Sequence, residues 1–538
     1  MVIEFSSRRT CVMARRGMVA TSNPLAAQAG LHILQHGGNA ADAAVATAAV
    51  LAVVEAAATG IGGDAFALFW DGQGPTPTGL NGSGRAGQAA SLENFRKRGF
   101  NEIPDRHPGA VTVPGAVRAW EDLLARHGRL SLRQVLEPAI YYAREGFPVS
   151  PTYAAAWARM LPLLRIAAQN DPSAAEYLPD GQAPVAGQVV KLPSLGRSLA
   201  EIAEAGAAVF YEGPIAEAIH QTVLRAGGDI RLGDLQAHRS EWVTPISTAY
   251  RGYDIWEIPP NGQGLAALQA LNILEGYPLG DWAWDDPARL HTMIEAMRLA
   301  FADAHQYIAD PQQSPVPTAA LLNKAYAAER RALIREGAAM APPRFGRPPA
   351  SSDTVYLCVV DGEGQACSFI NSLYMGFGSG IVAEGTGIFL QNRGANFSLH
   401  PDHPNALAPG KRPYHTIIPG MATQAGQLWA AFGVMGGFMQ PQGHLQVLSA
   451  MLDDGLDPQA ALDRPRWMVT HPEGQIALEE GIPFKTAARL ADFGHAVRPV
   501  SGGERALFGS GQIIHRRADS GVLSGGTDPR KDGQVAAY

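Results

Sequence analysis

The sequence predicts a mixed α/β protein in which helices layer on sheets, and three observations lead there. Two capped helix signals follow one another near the start of the chain. Two apolar strand patterns follow a Pro- and Gly-rich linker around residue 353. No internal repeat or low-complexity tract breaks the sequence into an array. With 538 residues the chain exceeds one ordinary core, so it forms two or more domains or one large layered fold. A hydrophobic share of 46% and a charged share of 17% are those of a soluble globular protein.

The first helix is predicted from Ser22 or Asn23 as cap, Pro24 in the first turn and Gly37-Gly38 at its end. The next begins at once, with Asn39 as cap and Asp42 three residues on, beside the positive end of the dipole. It is small and apolar through Val54, which predicts burial against a sheet. The run TGIGGDAFALFWDG then sets Gly60, Gly62 and Gly63 ahead of a strand, Ala65 to Trp70. A dinucleotide fingerprint needs strand, glycines, helix in that order; here the order is reversed, so the glycines read as a tight turn near a site. Helices are predicted from Leu195 to Leu224, broken at Gly206 and Gly213-Pro214, and from Gly264 to Glu275. His291 to Ile308 reads as an amphipathic helix. Residues Glu336 to Ser352 read as an exposed linker. Beyond it, Val355 to Val360 and Ala366 to Ile370 are strands joined by the turn Asp361 to Gly364. Neither alternates cleanly, so both faces are expected to be covered. Later strands fall at Gly387 to Leu390, Leu428 to Val434 and Gln512 to His515.

Several function classes are disfavoured. A formal net charge of -7 offers no basic stripe for a nucleic-acid backbone. The three cysteines, Cys11, Cys358 and Cys367, lack the spacing of a zinc site or a disulfide framework. Cys358 and Cys367 read as small core residues. His220, His291, His305 and His444 lack ligand spacing, so no metal is expected, and Asp303 and Asp310 read as solvated or capping groups. The first twenty residues hold no signal-peptide core, and Ala40 to Ala58 carries Asp42 and Glu55, so no membrane span is predicted and a cytoplasmic enzyme is expected.

The chemistry gathers where the linker meets the strand, at Asp353-Thr354. A threonine hydroxyl there can attack the carbonyl of Asp353, forming an ester that water cleaves. That frees the α-amino group of Thr354, whose reference pKa near 8 suits it to general-base work. Nucleophile and base then share one residue. The alternative is that Thr354 only starts a strand.

The run DTVYLCVVDGEGQACS from Asp353 resembles the D-T-T-H-x-x-V-V-D-x-x-G-N-A-V-S motif of the γ-glutamyltranspeptidase family. GGNAADAAVA with TGIGGD, Phe377 to Gly380, GIFLQNRG from Gly387, APGKRPYHT from Ala408, Gly436-Gly437 and Asp528-Pro529-Arg530 match further motifs in the family's order. The resemblance runs almost end to end. It implies a four-layer αββα sandwich of the N-terminal-nucleophile hydrolase type, cut before Thr354 into a large chain, residues 1–353, and a small chain, 354–538. Thr354 falls on the family's nucleophile, Ser372 on a supporting hydroxyl, and Gly436 and Gly437 on the pair whose N–H groups form the oxyanion hole. It implies an amide substrate of γ-glutamyl type, an acyl-enzyme that passes its acyl group to water or an amine, and no metal or organic cofactor. A homodimer of the two-chain unit stays open.

The departures cluster in the substrate pocket. Ser83 stands at the position of the family's carboxylate-binding arginine, with Arg85 two residues later as a shifted carboxylate partner or a surface charge. Asn396 stands where an aspartate holds the substrate ammonium, Arg393 at the neighbouring glutamine or glutamate position, and His415 and Thr416 at two serines. Tyr374 replaces an asparagine, and the segment 400–410 is short for the family's lid loop. Arginine opposes an ammonium. A pocket with Arg85, Arg393 and His415 suits an acid without the α-amino group, as in a glutaryl-type acylase or an oxamate amidohydrolase. An unprocessed scaffold is the non-enzymatic alternative.

Overall fold

The computed structural model describes residues 9–341, 353–470 and 474–538; the linker predicted from Glu336 lies outside them from residue 342 to 352. Two seven-stranded antiparallel sheets face each other. The nucleophile sheet runs, in spatial order, Gln534–Ala537, Met18–Thr21, Asp353–Val360, Ala366–Tyr374, Asp64–Trp70, Thr78–Asn81, Glu241–Val243. The second runs Val12–Ala14, Leu523–Thr527, Ser510–Arg516, Gln427–Met435, Gly420–Gln424, Tyr253–Glu257, Ile246–Tyr250.

The continuous apolar runs follow from burial on both faces. Tyr356, Cys358 and Val360 point between the sheets, into a core with Phe66, Ile370, Met421 and Ile514. Val355, Leu357 and Val359 point the other way, into a core shared with helices Pro24–Gln35 and Ala40–Val54. On the far side, Phe432, Val434 and Ile513 pack beneath helices Gly264–Leu274, Pro287–Tyr307 and Met439–Leu452. The layers are therefore helix, sheet, sheet, helix, the expected αββα sandwich. The sheets approach closely at Gly433, where a Cβ would meet the Tyr356 ring at 2.5 Å.

Both N-terminal helices form as the caps predict. Asn23 caps Pro24–Gln35, and Asn39 with Asp42 closes a capping box on Ala40–Val54, every residue of which is buried. Helix Pro287–Tyr307 starts earlier than predicted, capped by Asp286, and is buried rather than amphipathic. Its charges are tolerated there because they are paired: Arg289 with Asp454 at 2.7 Å and Arg298 with Glu295 at 2.5 Å. Cys358 and Cys367 are buried and free, as expected of small core residues. No helix among the described residues is long and apolar enough to cross a membrane.

Candidate active site

Thr354 is the second residue of strand Asp353–Val360 and is almost wholly buried, with Oγ1 3.1 Å from Ser372 Oγ. The ladder slips at this point. Asp353 pairs with Tyr374 but Val355 pairs with Asn371, so Thr354 faces two residues, Ser372 and Leu373. This bulge turns the Ser372 hydroxyl onto Thr354 and sets the Asp353–Thr354 peptide bond at an irregular position in the sheet. On its other edge Ser372 pairs with Asp64. Three adjacent strands thus bring Thr354, Ser372 and Asp64 to one end of the sheet.

Tyr374 closes the bulge with φ at +77°, an unusual conformation for a bulky residue. Its contacts hold it: the N–H donates to Ser372 Oγ at 2.8 Å, and the hydroxyl donates to Asn396 Oδ1 at 2.6 Å. The Arg393 guanidinium lies 4.3 Å from the Tyr374 ring centre, a cation–π contact. Arg393 is fully buried; Nη1 donates to Thr416 Oγ1 at 2.6 Å and Nη2 to Ser372 Oγ at 3.2 Å, while Nε has no partner among the described residues. Among the described residues no carboxylate lies at ion-pair distance from it. Burial pulls its pKa down to about 10, against the opposing pull of Tyr374 and Asp64.

Asp64 is the acid whose charge acts on this group. Its carboxylate accepts from the N–H groups of Gly84 and Gly115 and from Gln391 Nε2, and lies 3.0 Å from His415 Nε2. A Cβ at Gly84 would meet the Val113 carbonyl oxygen at 1.6 Å, so only glycine lets this loop wrap the carboxylate. Burial pushes Asp64 up to about 6, opposed chiefly by Arg393. Burial also holds His415 well below the usual histidine range, with Arg393 and Arg412 acting the same way. His415 is therefore neutral. Nδ1 faces the Ile417 N–H at 3.4 Å, so the proton resides on Nε2 and points at Asp64.

Gly436 and Gly437 follow strand Gln427–Met435 with φ of +125° and +58°, and their N–H groups find no acceptor among the described residues. Gln263 fixes this turn: Nε2 donates to the carbonyls of Gly437 at 2.8 Å and Thr416 at 2.7 Å, and Tyr414 holds Oε1.

The structure thus gathers Thr354, Ser372, Tyr374, Arg393, Asn396, His415 and Thr416 around one another. Arg85 is not among them. Its guanidinium is held by Asp310 at 2.8 Å, Glu241 at 3.2 Å and Gln312 at 2.8 Å, and it borders a separate cavity of about 400 Å³ with Arg231 and His238. Asp310 is correspondingly buried rather than solvated, and Asp303 is buried against Arg330, Tyr326 and Gln269. Among the described residues one group, His291, Glu295 and His495, has metal-ligand atoms within 4.8 Å of one another. Glu295 there already binds Arg298 and the Met340 N–H, and the two rings bind each other. Sequence reasoning missed Asp64 and Gln263. Asp64 was marked only by its place after the glycines of TGIGGD; Gln263 carried no signal beyond following a turn.

The profile of the gamma-glutamyltranspeptidase family matches residues 26–538. A glutathione hydrolase-like proenzyme (YwrD) of Bacillus subtilis is 40% identical over 97% of this chain and 98% of its own length. The oxamate amidohydrolase proenzyme of Klebsiella pneumoniae is 37% identical over 98% and 99%. The crystal structure of a cephalosporin acylase from Bacillus halodurans superposes with a TM-score of 0.93 at 48% identity, covering 100% of this chain and 98% of that one.

Proposed function

Because the chain belongs to the γ-glutamyltranspeptidase family, we propose that it is cut before Thr354 and then cleaves amides whose acyl half ends in a carboxylate and carries no α-ammonium. Membership makes it an autoprocessing amidohydrolase and acyltransferase, with two chains derived from one precursor and a small-molecule substrate. What is proposed is the cut position, the residue roles and the acyl group.

In processing, Thr354 Oγ1 attacks the Asp353 carbonyl carbon, the peptide C–N bond breaks and an ester forms. Water cleaves the ester, leaving the Asp353 carboxylate and a free Thr354 amine. In turnover that amine takes the Oγ1 proton as the hydroxyl attacks the substrate carbonyl. The N–H groups of Gly436 and Gly437, without an acceptor among the described residues, take the oxyanion in this reading. The amine then returns the proton to the departing nitrogen, and water or an amine takes the acyl group from Oγ1.

The observation that carries the choice of acyl group is Arg393: a fully buried guanidinium beside Ser372, without a carboxylate partner among the described residues. A γ-glutamyl ammonium would meet this cation beside neutral Asn396 and Tyr374, with the Asp64 carboxylate already taken up by Gly84, Gly115, Gln391 and His415, whereas a glutaryl or oxamate carboxylate would neutralise the guanidinium. Both acyl classes use the same nucleophile; Arg393 favours the second. Glutaryl-4-nitroanilide, γ-glutamyl-4-nitroanilide and oxamate should be compared as substrates of the processed protein. Glutaryl-4-nitroanilide or oxamate is expected to be turned over with the higher kcat/KM, and a preference for the γ-glutamyl compound refutes the reading.

A further inference from the structure

The cavity of about 400 Å³ that Arg85 borders has room for a small organic molecule. None of the residues gathered round Thr354 lines it; its walls come from the stretches 85–88 and 231–238 with Val113 and Gly410. Those walls are closely fitted. The Val113 N–H donates to the Arg85 carbonyl at 3.0 Å, and a Cβ on Gly87 would meet the Asp229 carbonyl oxygen at 2.3 Å. The loop after Gly84 is pressed against both neighbours, so the space beside it is a feature of the fold and not slack in its packing. Gln88, Gly233 and Ala237 are exposed at its edge, which leaves it open to solvent.

Two wall residues hold polar atoms that the fold leaves unused. His238 is 5% exposed, and its Nε2 has no hydrogen-bond partner among the described residues. Buried polar atoms without partners are uncommon in folded proteins and call for an explanation. The ring is fixed by stacking on Tyr211, with centroids 5.3 Å apart, and the Tyr211 hydroxyl donates to the Pro114 carbonyl at 2.8 Å. Burial pushes His238 down to about 3, and Arg412, Arg118, Arg85 and Arg239 act the same way, so the ring is neutral at pH 7. Arg231 is the second residue. Its Nη1 donates to the carbonyls of Gly228 at 2.9 Å and Ile230 at 3.3 Å, and no carboxylate among the described residues lies at ion-pair distance from its guanidinium. The one carboxylate of the wall, Asp234, is occupied by the N–H groups of Gln88 at 3.0 Å and Arg231 at 2.8 Å. Arg85 is already held by Asp310, Glu241 and Gln312.

We infer that this cavity is a second binding site, apart from the acyl site, for a small molecule bearing an oxyanion group, phosphate or carboxylate, with Arg231 and His238 as its contacts. A guanidinium without a carboxylate partner offers paired donors that match such a group. A neutral imidazole adds one N–H from Nε2 in the tautomer that carries the proton there, without adding charge. With Asp234 engaged, no carboxylate of the wall is left free to repel the ligand. The site goes beyond the acyl assignment and does not depend on it.

Calorimetric titration of the full protein with inorganic phosphate, and separately with succinate, tests this. An Arg393→Met background removes the acyl site's own claim on anions. In that background at least one of the two probes is expected to saturate with a Kd of about 1 mM or below, and which one does names the group the site takes. Adding Arg231→Gln should weaken that binding by at least about tenfold, the scale of one charge-assisted contact. His238→Phe keeps a ring to stack on Tyr211 but removes Nε2, and should weaken it by about three- to tenfold. A urea midpoint matching that of the parent certifies that each variant has folded. Failure of both probes to saturate below about 10 mM overturns the inference. So does binding that survives both Arg231→Gln and His238→Phe, or binding that Arg393→Met alone abolishes. The first two results leave the acyl assignment standing, and the third places the anion at Arg393.

Discussion

Replacing Arg393 with methionine separates a recognition role from a structural one, because the two predict different effects on stability. Arg393 is fully buried, and burial brings its pKa down from the ordinary arginine value to about 10, so folding disfavours its charge by roughly 3 kcal/mol. Both values lie above neutrality, so the cost is present at pH 7 and is relieved only as pH rises past about 10. The substitution removes that cost together with two hydrogen bonds from a charged donor, to Thr416 and Ser372, of about 1.5 kcal/mol each. The two nearly cancel, so the empty protein is expected to keep its stability to within about 1 kcal/mol, seen as an almost unshifted denaturant midpoint. Catalysis does not stay constant. Loss of a charge-assisted contact of about 1.5–3 kcal/mol lowers kcat/KM for glutaryl-4-nitroanilide by about 10- to 100-fold. Hydrolysis of butyryl-4-nitroanilide, the same chain length without the acid, should change by less than about threefold. The assay pairs both anilides with a urea titration, after mass spectrometry has confirmed processing. A variant that is destabilised by several kcal/mol and loses both activities in parallel refutes the reasoning, since Arg393 would then be holding the fold.

Other outcomes follow from the same geometry. Thr354→Ala is expected to remain one chain by intact mass while the wild type separates into fragments 1–353 and 354–538; a cut in the variant would move the nucleophile elsewhere. Asp64 is raised from 3.8 to about 6, so the folded state binds its proton more tightly. Stability from this group is highest below about pH 4 and is lost as pH rises to about 6, by roughly 3 kcal/mol. In the uncut Thr354→Ala background, the stability difference between that protein and its Asp64→Asn derivative should shrink by that amount across the window; a flat difference contradicts the assignment. Gly436→Ala places a Cβ 3.2 Å from both Gly509 Cα and Met439 Cβ at a φ of +125°. It should lower kcat by about 10²-fold or more by displacing an oxyanion donor, whereas an unchanged kcat would remove the pair from the site.

The legibility of the chain followed the range of the interactions involved. The helices Pro24–Gln35 and Ala40–Val54 were readable because Asn23, Asn39 and Asp42 act within one turn of themselves. The strand carrying Thr354 was readable because burial on two faces writes a continuous apolar run into the sequence. Thr354, Ser372 and the glycine pair came from the family resemblance; the fold sets Ser372 against Thr354 and puts Thr354 and Gly436 on one cavity. Helix Pro287–Tyr307 was misjudged because its charged residues look solvent-facing until Asp454, far along the chain, is seen to pair with Arg289. Arg85 stayed ambiguous for the same reason, since Asp310 and Glu241 are distant in sequence. Asp64 and Gln263 act through contacts with His415 and Gly437 that no local pattern announces.

The order of strands has a consequence for how the mature protein lives and dies. Asp353–Val360 lies between Met18–Thr21 on one side and Ala366–Tyr374 on the other, and Val12–Ala14 and Tyr253–Glu257 pair with strands from beyond residue 354. Each sheet is thus woven from both sides of the proposed cut. A precursor folds as one molecule, with its loops closed by covalent connection. Once cut, the same fold has two independent strands of polypeptide, and refolding after denaturation becomes a second-order search that weakens on dilution. The mature form would therefore be persistent while folded and unable to recover at low concentration once lost. Its lifetime would be set by the rate of unfolding rather than by an equilibrium.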